Sequence, residues 1–165
     1  MLIGRIELSQ FNNWHQDLEY VIQNDPTRGY NATVAEDLDR YKNISSDIYN
    51  GVPEFIQQYL DQQFAWLNNK FYAVSRMRPG MVLPIHSDKY AYFRSQNTIG
   101  PGQHVLRIIV FLEDWQSGHV SEVDGTPFTS WQQGDWISWI DDAPHMAANL
   151  GHTNRYTLQI TGVTQ

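Results

Sequence analysis

Residues 104–112 read "HVLRIIVFL", and this run decides the fold class. In an extended chain successive side chains point to opposite faces. Val105, Arg107, Ile109 and Phe111 therefore share one face, and Leu106, Ile108, Val110 and Leu112 the other. A short run that is apolar and β-branched on both faces reads as a strand in the core of a sandwich or barrel. Arg107 is the exception within it. A guanidinium among such neighbours is buried or stands on a pocket wall, and there it requires an anionic partner.

Working outward from this strand, the same short period recurs. Before it come "KFYAVSRM" (70–77), a Pro79-Gly80 turn and "MVLPIHSD" (81–88). After it come "HVSEV" (119–123), "TPFTSW" (126–131), "GDWISWI" (134–140), "HMAANL" (145–150) and "RYTLQITGV" (155–163). Asp124-Gly125, Gln133-Gly134 and Gly151 punctuate them. About eight short strands without an intervening helix imply a sandwich or jelly roll. Residues 90–103, "YAYFRSQNTIGPGQ", read as a loop with Gly100-Pro101-Gly102 as breakers.

The first part of the chain has a different texture. "IGRIEL" (3–8) alternates as an edge strand would. "SQFNNWHQDLEYVIQ" (9–23) places Trp14, Leu18, Val21 and Ile22 at helical spacing before the Asp25-Pro26 stop, which predicts a helix. Residues 27–50 are polar and predict an ordered loop with one short strand. "PEFIQQYLDQQFAWL" (53–67) opens on Pro53 and carries the stripe Phe55, Ile56, Tyr59, Leu60, Phe64 and Leu67, a second helix. Residues 1–165 are thus expected to be one mainly β domain of the α+β class, with helical support over 1–70 packed outside a β core over 71–165.

Bulk properties narrow the function classes. Lys and Arg total 11 against 18 Asp and Glu, a net charge of −7, and no basic run is present. Nucleic acid and anionic membranes are therefore not expected partners. The chain has no cysteine, which excludes thiolate metal sites and disulfides. Arg5 and Glu7 interrupt the opening apolar run, so it is read as neither a signal peptide nor a membrane span, and a cytoplasmic protein is expected.

Chemistry concentrates in "PIHSDKY" (84–90) and "DDAPHMAANLGHTNRYTLQI" (141–160). His86 and Asp88 lie two apart, on one face if the strand continues. His145 follows a Pro144 turn, and Arg155 comes ten residues later. Two imidazoles and one carboxylate are the donor set that holds Fe(II) by one face, partly neutralising it and leaving positions open for a bidentate co-substrate and oxygen. On the last strand Arg155, Thr157, Gln159 and Thr161 form a polar face opposite Tyr156, Leu158 and Ile160, which suggests a lined cavity. Two arginines with Thr157 or Ser75 suit a dicarboxylate.

Residues 71–162 resemble the double-stranded β-helix of the Fe(II)/2-oxoglutarate dioxygenases, and within them the aspartyl/asparaginyl β-hydroxylase-like group. The resemblance rests on "RPGMVLPIHSD", "LRIIVFL", "WQQGDWISWIDDAPHMAAN" and "NRYTLQI". It implies a cupin-like jelly roll with His86, Asp88 and His145 as iron ligands and Arg155 on the distal carboxylate of 2-oxoglutarate. It further implies Arg107 and Ser75 as contacts to that co-substrate. The implied activity is hydroxylation of a C–H bond on an amino acid or peptide side chain, consuming molecular oxygen and releasing succinate and CO2. Two positions depart from the pattern. Some members of the group have Gly where Asp88 stands, and the histidine that some place two after the strand arginine is Ile109 here.

Alternatives remain: a metal-free jelly-roll binding protein, or a cupin-type metalloenzyme that does not use 2-oxoglutarate. Residues 89–103 are expected to form a substrate-reading lid through Lys89, Tyr90, Tyr92 and Arg94, or else an ordinary surface loop. His15 is expected to be solvated on a helix face, and His104, His119 and His152 to lie at the surface or behind the ligands, with the pocket mouth open to His104 or His119. Asp141-Asp142 is expected to be a turn in which one carboxylate orients backbone or a ligand histidine. Trp131, Trp136 and Trp139 are expected in the core.

Overall fold

A computed structural model describes residues 1–22 and 46–165 of the chain. Its larger sheet runs from edge to edge through β1 (Leu2–Arg5), β9 (Asp135–Ile140), β6 (Val105–Phe111), β11 (Arg155–Thr164), β4 (Leu67–Met77), β3 (Asp47–Asn50) and β2 (Val21–Ile22). A second sheet holds β5 (Val82–His86), β10 (His145–Asn149), β7 (His119–Val123) and β8 (Thr126–Phe128). Neighbouring strands are antiparallel throughout. The two sheets face each other, which is the double-stranded β-helix, or cupin-like jelly roll, expected from the strand spacing and the resemblance.

The central position of β6 follows from its two apolar faces. Leu106, Ile108 and Val110 point outward with Val74 of β4 and Leu158 and Ile160 of β11, and all six are buried. Over them lies α1 (Glu54–Gln63), which presents Ile56 and Leu60, with Phe64 just beyond its end. Pro53 starts this helix. Its fixed φ suits the entry, and its carbonyl accepts from Ile56 N at 3.0 Å and Gln57 N at 2.9 Å. Burying a side chain such as Ile56 or Leu60 contributes about 1.5–3 kcal/mol relative to exposure. The outer face and its helix therefore carry much of the stability.

The inner face is divided. Phe111, Ile137 and Trp139 of the large sheet meet Val123 of β7 and Trp131, with the Phe111 and Trp131 rings stacked at 4.0 Å, and fill one part of the space. The remainder, over Arg107, Arg155, Thr157, Gln159, Ser75 and Met77, stays open as a cavity. Two glycine turns set the strands around it. Gly80 takes φ 84° in the turn from β4 into β5, a conformation open to glycine at little steric cost. Gly134, at φ 85°, lies so close to the Ile6 carbonyl that a Cβ would stand 2.0 Å from its oxygen.

Some expectations need correction. Residues 9–22 contain no helix; they form turns leading into β2. Ser9, Asn12, Asn13 and Asp17 are residues whose side chains compete for backbone groups and favour turns. Trp14, Leu18 and Tyr20 pack on the outer core from this irregular path. The support over 1–70 is accordingly mixed, since β1, β2 and β3 extend the large sheet and α1 is its helix among the described residues. Of the loop expected over 27–50, residues 27–45 lie outside the described residues, and its short strand is β3. Residues 90–103 contain the short helix α2 (Ala91–Gln96). Among the described residues no helix is long and apolar enough to cross a membrane.

Candidate metal centre

His86 closes β5 and His145 opens β10, and the two are register partners across the small sheet. Their rings stand 4.3 Å apart. The strand ends at His86, so Asp88 does not share a ladder face with it as the spacing predicts. The irregular segment that follows carries the carboxylate back instead. Asp88 Oδ1 lies 3.7 Å from His86 Nε2, and Oδ2 lies 3.8 Å from His145 Nε2. The three side chains offer ligand atoms that all lie within 4.8 Å of one another.

The backbone fixes which imidazole nitrogen faces this point. His86 Nδ1 lies 2.7 Å from Pro84 O, and His145 Nδ1 lies 2.9 Å from Ala143 O. A carbonyl can only accept, so both Nδ1 atoms carry the proton and a neutral ring presents an unprotonated Nε2 to the site. Burial lowers the His145 pKa, as do the nearby His86 and Arg107, outweighing the opposite pull of the Ala143 carbonyl and Asp88. Trp139 stands over the same ring at 4.5 Å. Two neutral imidazoles with a backbone-fixed tautomer and one carboxylate fit a divalent transition-metal ion.

The same cavity, about 230 Å³, reaches Arg155. Arg155 opens β11, where Thr157 pairs in register with Ser75 of β4, so all three belong to one polar patch. The arginine is 4% exposed. It donates to Ser121 Oγ and, at 3.3 Å, to Met77 Sδ, while its Nε has no hydrogen bond among the described residues. Phe111 and Trp131 offer ring faces at 5.8 and 5.6 Å. Among the described residues no carboxylate pairs with it, and burial alone lowers its pKa to about 10. A guanidinium desolvated without an anion is costly unless a ligand supplies the charge.

Arg107 does have its anion, and the anion is Asp88. Its Nη2 donates to Asp88 Oδ2 at 2.9 Å and its Nη1 to Gln159 Oε1 at 3.0 Å. The Tyr90 ring lies 5.2 Å from the guanidinium carbon. A second cleft, about 660 Å³, meets the first at Asp88, Arg107, Gln159 and Ile48, and Tyr90 and Tyr92 line it. Lys89 and Arg94 line neither cavity. They bind the turn before His145, Lys89 to Asp142 at 3.7 Å and Arg94 to Asp141 at 3.0 Å.

Other side chains follow expectation only in part. His15 is not solvated; it is 2% exposed and donates to Glu113 at 2.9 Å. Asp141 does sit in a turn, at φ 49°, and approaches Val105 N at 3.4 Å, but the histidine it holds is His104, at 2.6 Å, not a candidate ligand. His119 is buried near Trp131. Trp139 is a core residue that also walls the cavity. Ser121 and Gln159 have contacts that the sequence reading did not assign. The polar face of "RYTLQITGV" and the alternation of "HVSEV" are the signals that pointed to them.

No family model and no curated protein matches the chain. Among solved structures, a prolyl-4-hydroxylase from Pseudomonas putida superposes with a TM-score of 0.51 at 16% identity, covering 73% of this chain and 72% of that one. A protein from Photorhabdus luminescens gives 0.45 at 13% identity, covering 71% and 74%. A cupin protein from Bacteroides fragilis gives 0.41 at 18% identity, covering 62% and 72%. At 16% identity the likeness to the hydroxylase is one of fold alone.

Proposed function

We propose that the protein is a non-haem Fe(II)- and 2-oxoglutarate-dependent oxygenase that hydroxylates a C–H bond of an amino acid or peptide side chain. The observation that carries this reading is the pairing, in one cavity, of a His-Asp-His cluster with a buried guanidinium that has no carboxylate partner among the described residues. A dicarboxylate with a chelating end answers both. The cavity is smaller than the roughly 300–1,000 Å³ of sites for drug-sized ligands, as suits a small acid.

In this reading His86, His145 and Asp88 hold the metal, and Asp88 supplies the charge that two neutral imidazoles do not. Bound Fe(II) would supply the activation of molecular oxygen, one atom of which enters the succinate formed with CO2 from 2-oxoglutarate and the other the C–H bond of the substrate. The remaining work belongs to the chain. Arg155 pairs with the distal carboxylate, a charge-assisted contact strengthened by the dry surroundings. Ser75 and Thr157 flank it as hydroxyl donors. Met77, Ile109, Ile137 and Trp139 keep water from the reacting centre. The second cleft is the route for the substrate, entering past Tyr90 and Tyr92.

The test is succinate formation from 2-oxoglutarate with Fe(II), screened first on free amino acids and then on peptides. A thermal shift with Mn(II), with and without 2-oxoglutarate, accompanies it. Stabilisation by Mn(II) that 2-oxoglutarate deepens is expected. Metal binding with no response to 2-oxoglutarate would favour a cupin-type metalloenzyme of another kind. Response to neither would leave a binding protein.

A further inference from the structure

Asp88 is the weakly held member of the metal cluster. His86 and His145 end strands that are paired with each other, and each ring is fixed through Nδ1 to a carbonyl two residues away. Asp88 lies beyond β5 in a segment without ladder bonds. Among the described residues the hydrogen bond to its carboxylate comes from Arg107. Arg107 itself is rigidly mounted. It stands mid-strand on β6, with β9 and β11 paired on either side through Trp139 and Thr161. Gln159 of β11 takes its other nitrogen, and the Tyr90 ring covers its face. Its side chain is 15% exposed.

We propose that Arg107 is a positioning residue for the metal's carboxylate ligand rather than a contact of the co-substrate. It grips Oδ2 and thereby leaves Oδ1 turned toward His86, so that the three ligands form a site ready for a divalent cation. The inference rests on the reading that His86, Asp88 and His145 hold such a cation. Two effects oppose each other. The guanidinium repels a dication, which weakens binding, and it orders a carboxylate that the backbone leaves loose, which strengthens it. The carboxylate lies against the guanidinium and offsets its charge, so ordering prevails. Residues that orient metal ligands in this way typically contribute about 10–100-fold in metal affinity.

A second consequence separates this role from a merely structural one. In Asp88→Ala the guanidinium would remain beside the two imidazoles with its anion removed. A small carboxylate added from solution can then occupy the vacated place, held by Arg107.

The experiment is Mn(II) titration of the full chain by calorimetry and by electron paramagnetic resonance. Arg107→Gln is expected to weaken Mn(II) binding by about 10–100-fold, and Gln159→Leu to weaken it less. Formate is expected to restore Mn(II) binding to Asp88→Ala but not to the Asp88→Ala/Arg107→Gln double variant. A folded Arg107→Gln protein that binds Mn(II) as tightly as wild type, or more tightly, overturns the proposal. So does formate rescue that does not need Arg107. If Arg107→Gln does not fold, the rescue is compared between Asp88→Ala and Asp88→Ala/Gln159→Leu, and equal rescue overturns the proposal. Failure of the wild type to bind Mn(II) at all would remove the metal reading itself, a separate and distinguishable result.

Discussion

The two faces of the large sheet treat polar groups in opposite ways. On the outer side, under and beside α1, polar groups among the aromatic rings have partners: His15 donates to Glu113, the Tyr72 hydroxyl to Asp61 at 2.7 Å, and the Tyr59 hydroxyl to the Glu7 carbonyl at 2.6 Å. Among the described residues, the buried side-chain polar atoms without a hydrogen bond are Arg155 Nε, Trp139 Nε1 and the Tyr90 hydroxyl. All three residues line the two inner cavities. Unmet hydrogen-bonding capacity is a cost to a fold, and here it is confined to one side. The outer face is built for stability, and in the reading proposed above the inner face keeps its polarity for ligands.

The largest expected effect lies on the inner face. His86→Ala/His145→Ala should weaken Mn(II) binding by about 1,000-fold or more, roughly 4 kcal/mol. The metal-free melting temperature should change little, because neither ring is part of the outer core. Calorimetric titration checks the first part and a thermal melt the second. Undiminished binding would move the metal away from this cluster.

On the outer face the pattern should invert. Leu60→Ala removes a fully buried side chain and should cost about 2–5 kcal/mol in urea unfolding. The folded fraction should still bind Mn(II) and 2-oxoglutarate with wild-type affinity. A shift in ligand affinity comparable to the loss of stability would show that the two faces are not separable.

Arg155→Met sharpens the comparison further, because stability and ligand binding should move in opposite directions. Replacing a buried guanidinium that has no anion among the described residues with a side chain of similar length should stabilise the ligand-free protein by about 1–2 kcal/mol. The same change should weaken 2-oxoglutarate by about tenfold or more. Arg155→Lys should lose part of that affinity, since it keeps the point charge but not the two-pronged geometry. A lower melting temperature in Arg155→Met would mean that Ser121, Met77 and the two rings already satisfy the cation.

What could be read from the chain divides along the same line. The two-period pattern of "HVLRIIVFL" and its neighbours fixed the strands, because sheet faces impose alternation directly on sequence. The cluster of His86, Asp88 and His145 was visible as spacing, and Arg155 as a charge on a polar strand face. The apolar neighbours of Arg107 show that it needs an anion, but not which one. That pairing depends on where the segment after β5 turns, and no local pattern encodes it. Residues 9–22 misled for the converse reason. Trp14, Leu18, Val21 and Ile22 have helical spacing, but Trp14 and Leu18 pack on the outer core from turns while Val21 stands exposed on a short strand, so tertiary contacts override the period. His15 lies in the same turns and is buried by the same contacts.

The smallest expected effect tests whether the outer face's pairing matters at all. Burial pushes the Glu113 carboxyl up, but hydrogen bonds from His15 and Gln16 more than offset this and hold it below the ordinary carboxylate range. A carboxyl whose pKa is lower folded than unfolded binds fewer protons in the folded state. Its contribution is therefore complete above the unfolded value, near 4.5, and is lost as pH falls below that through the folded value. Glu113→Gln should accordingly lower stability at neutral pH by about 0.5–1.5 kcal/mol, the net worth of a hydrogen bond. The gap between wild type and variant should narrow as the pH drops below 4.5. Thermal melts of both proteins across that range measure it. A gap that stays constant with pH would mean that Glu113 acts through its packing beside His15 and Gln16 rather than through charge, and the outer face would then owe its order to shape alone.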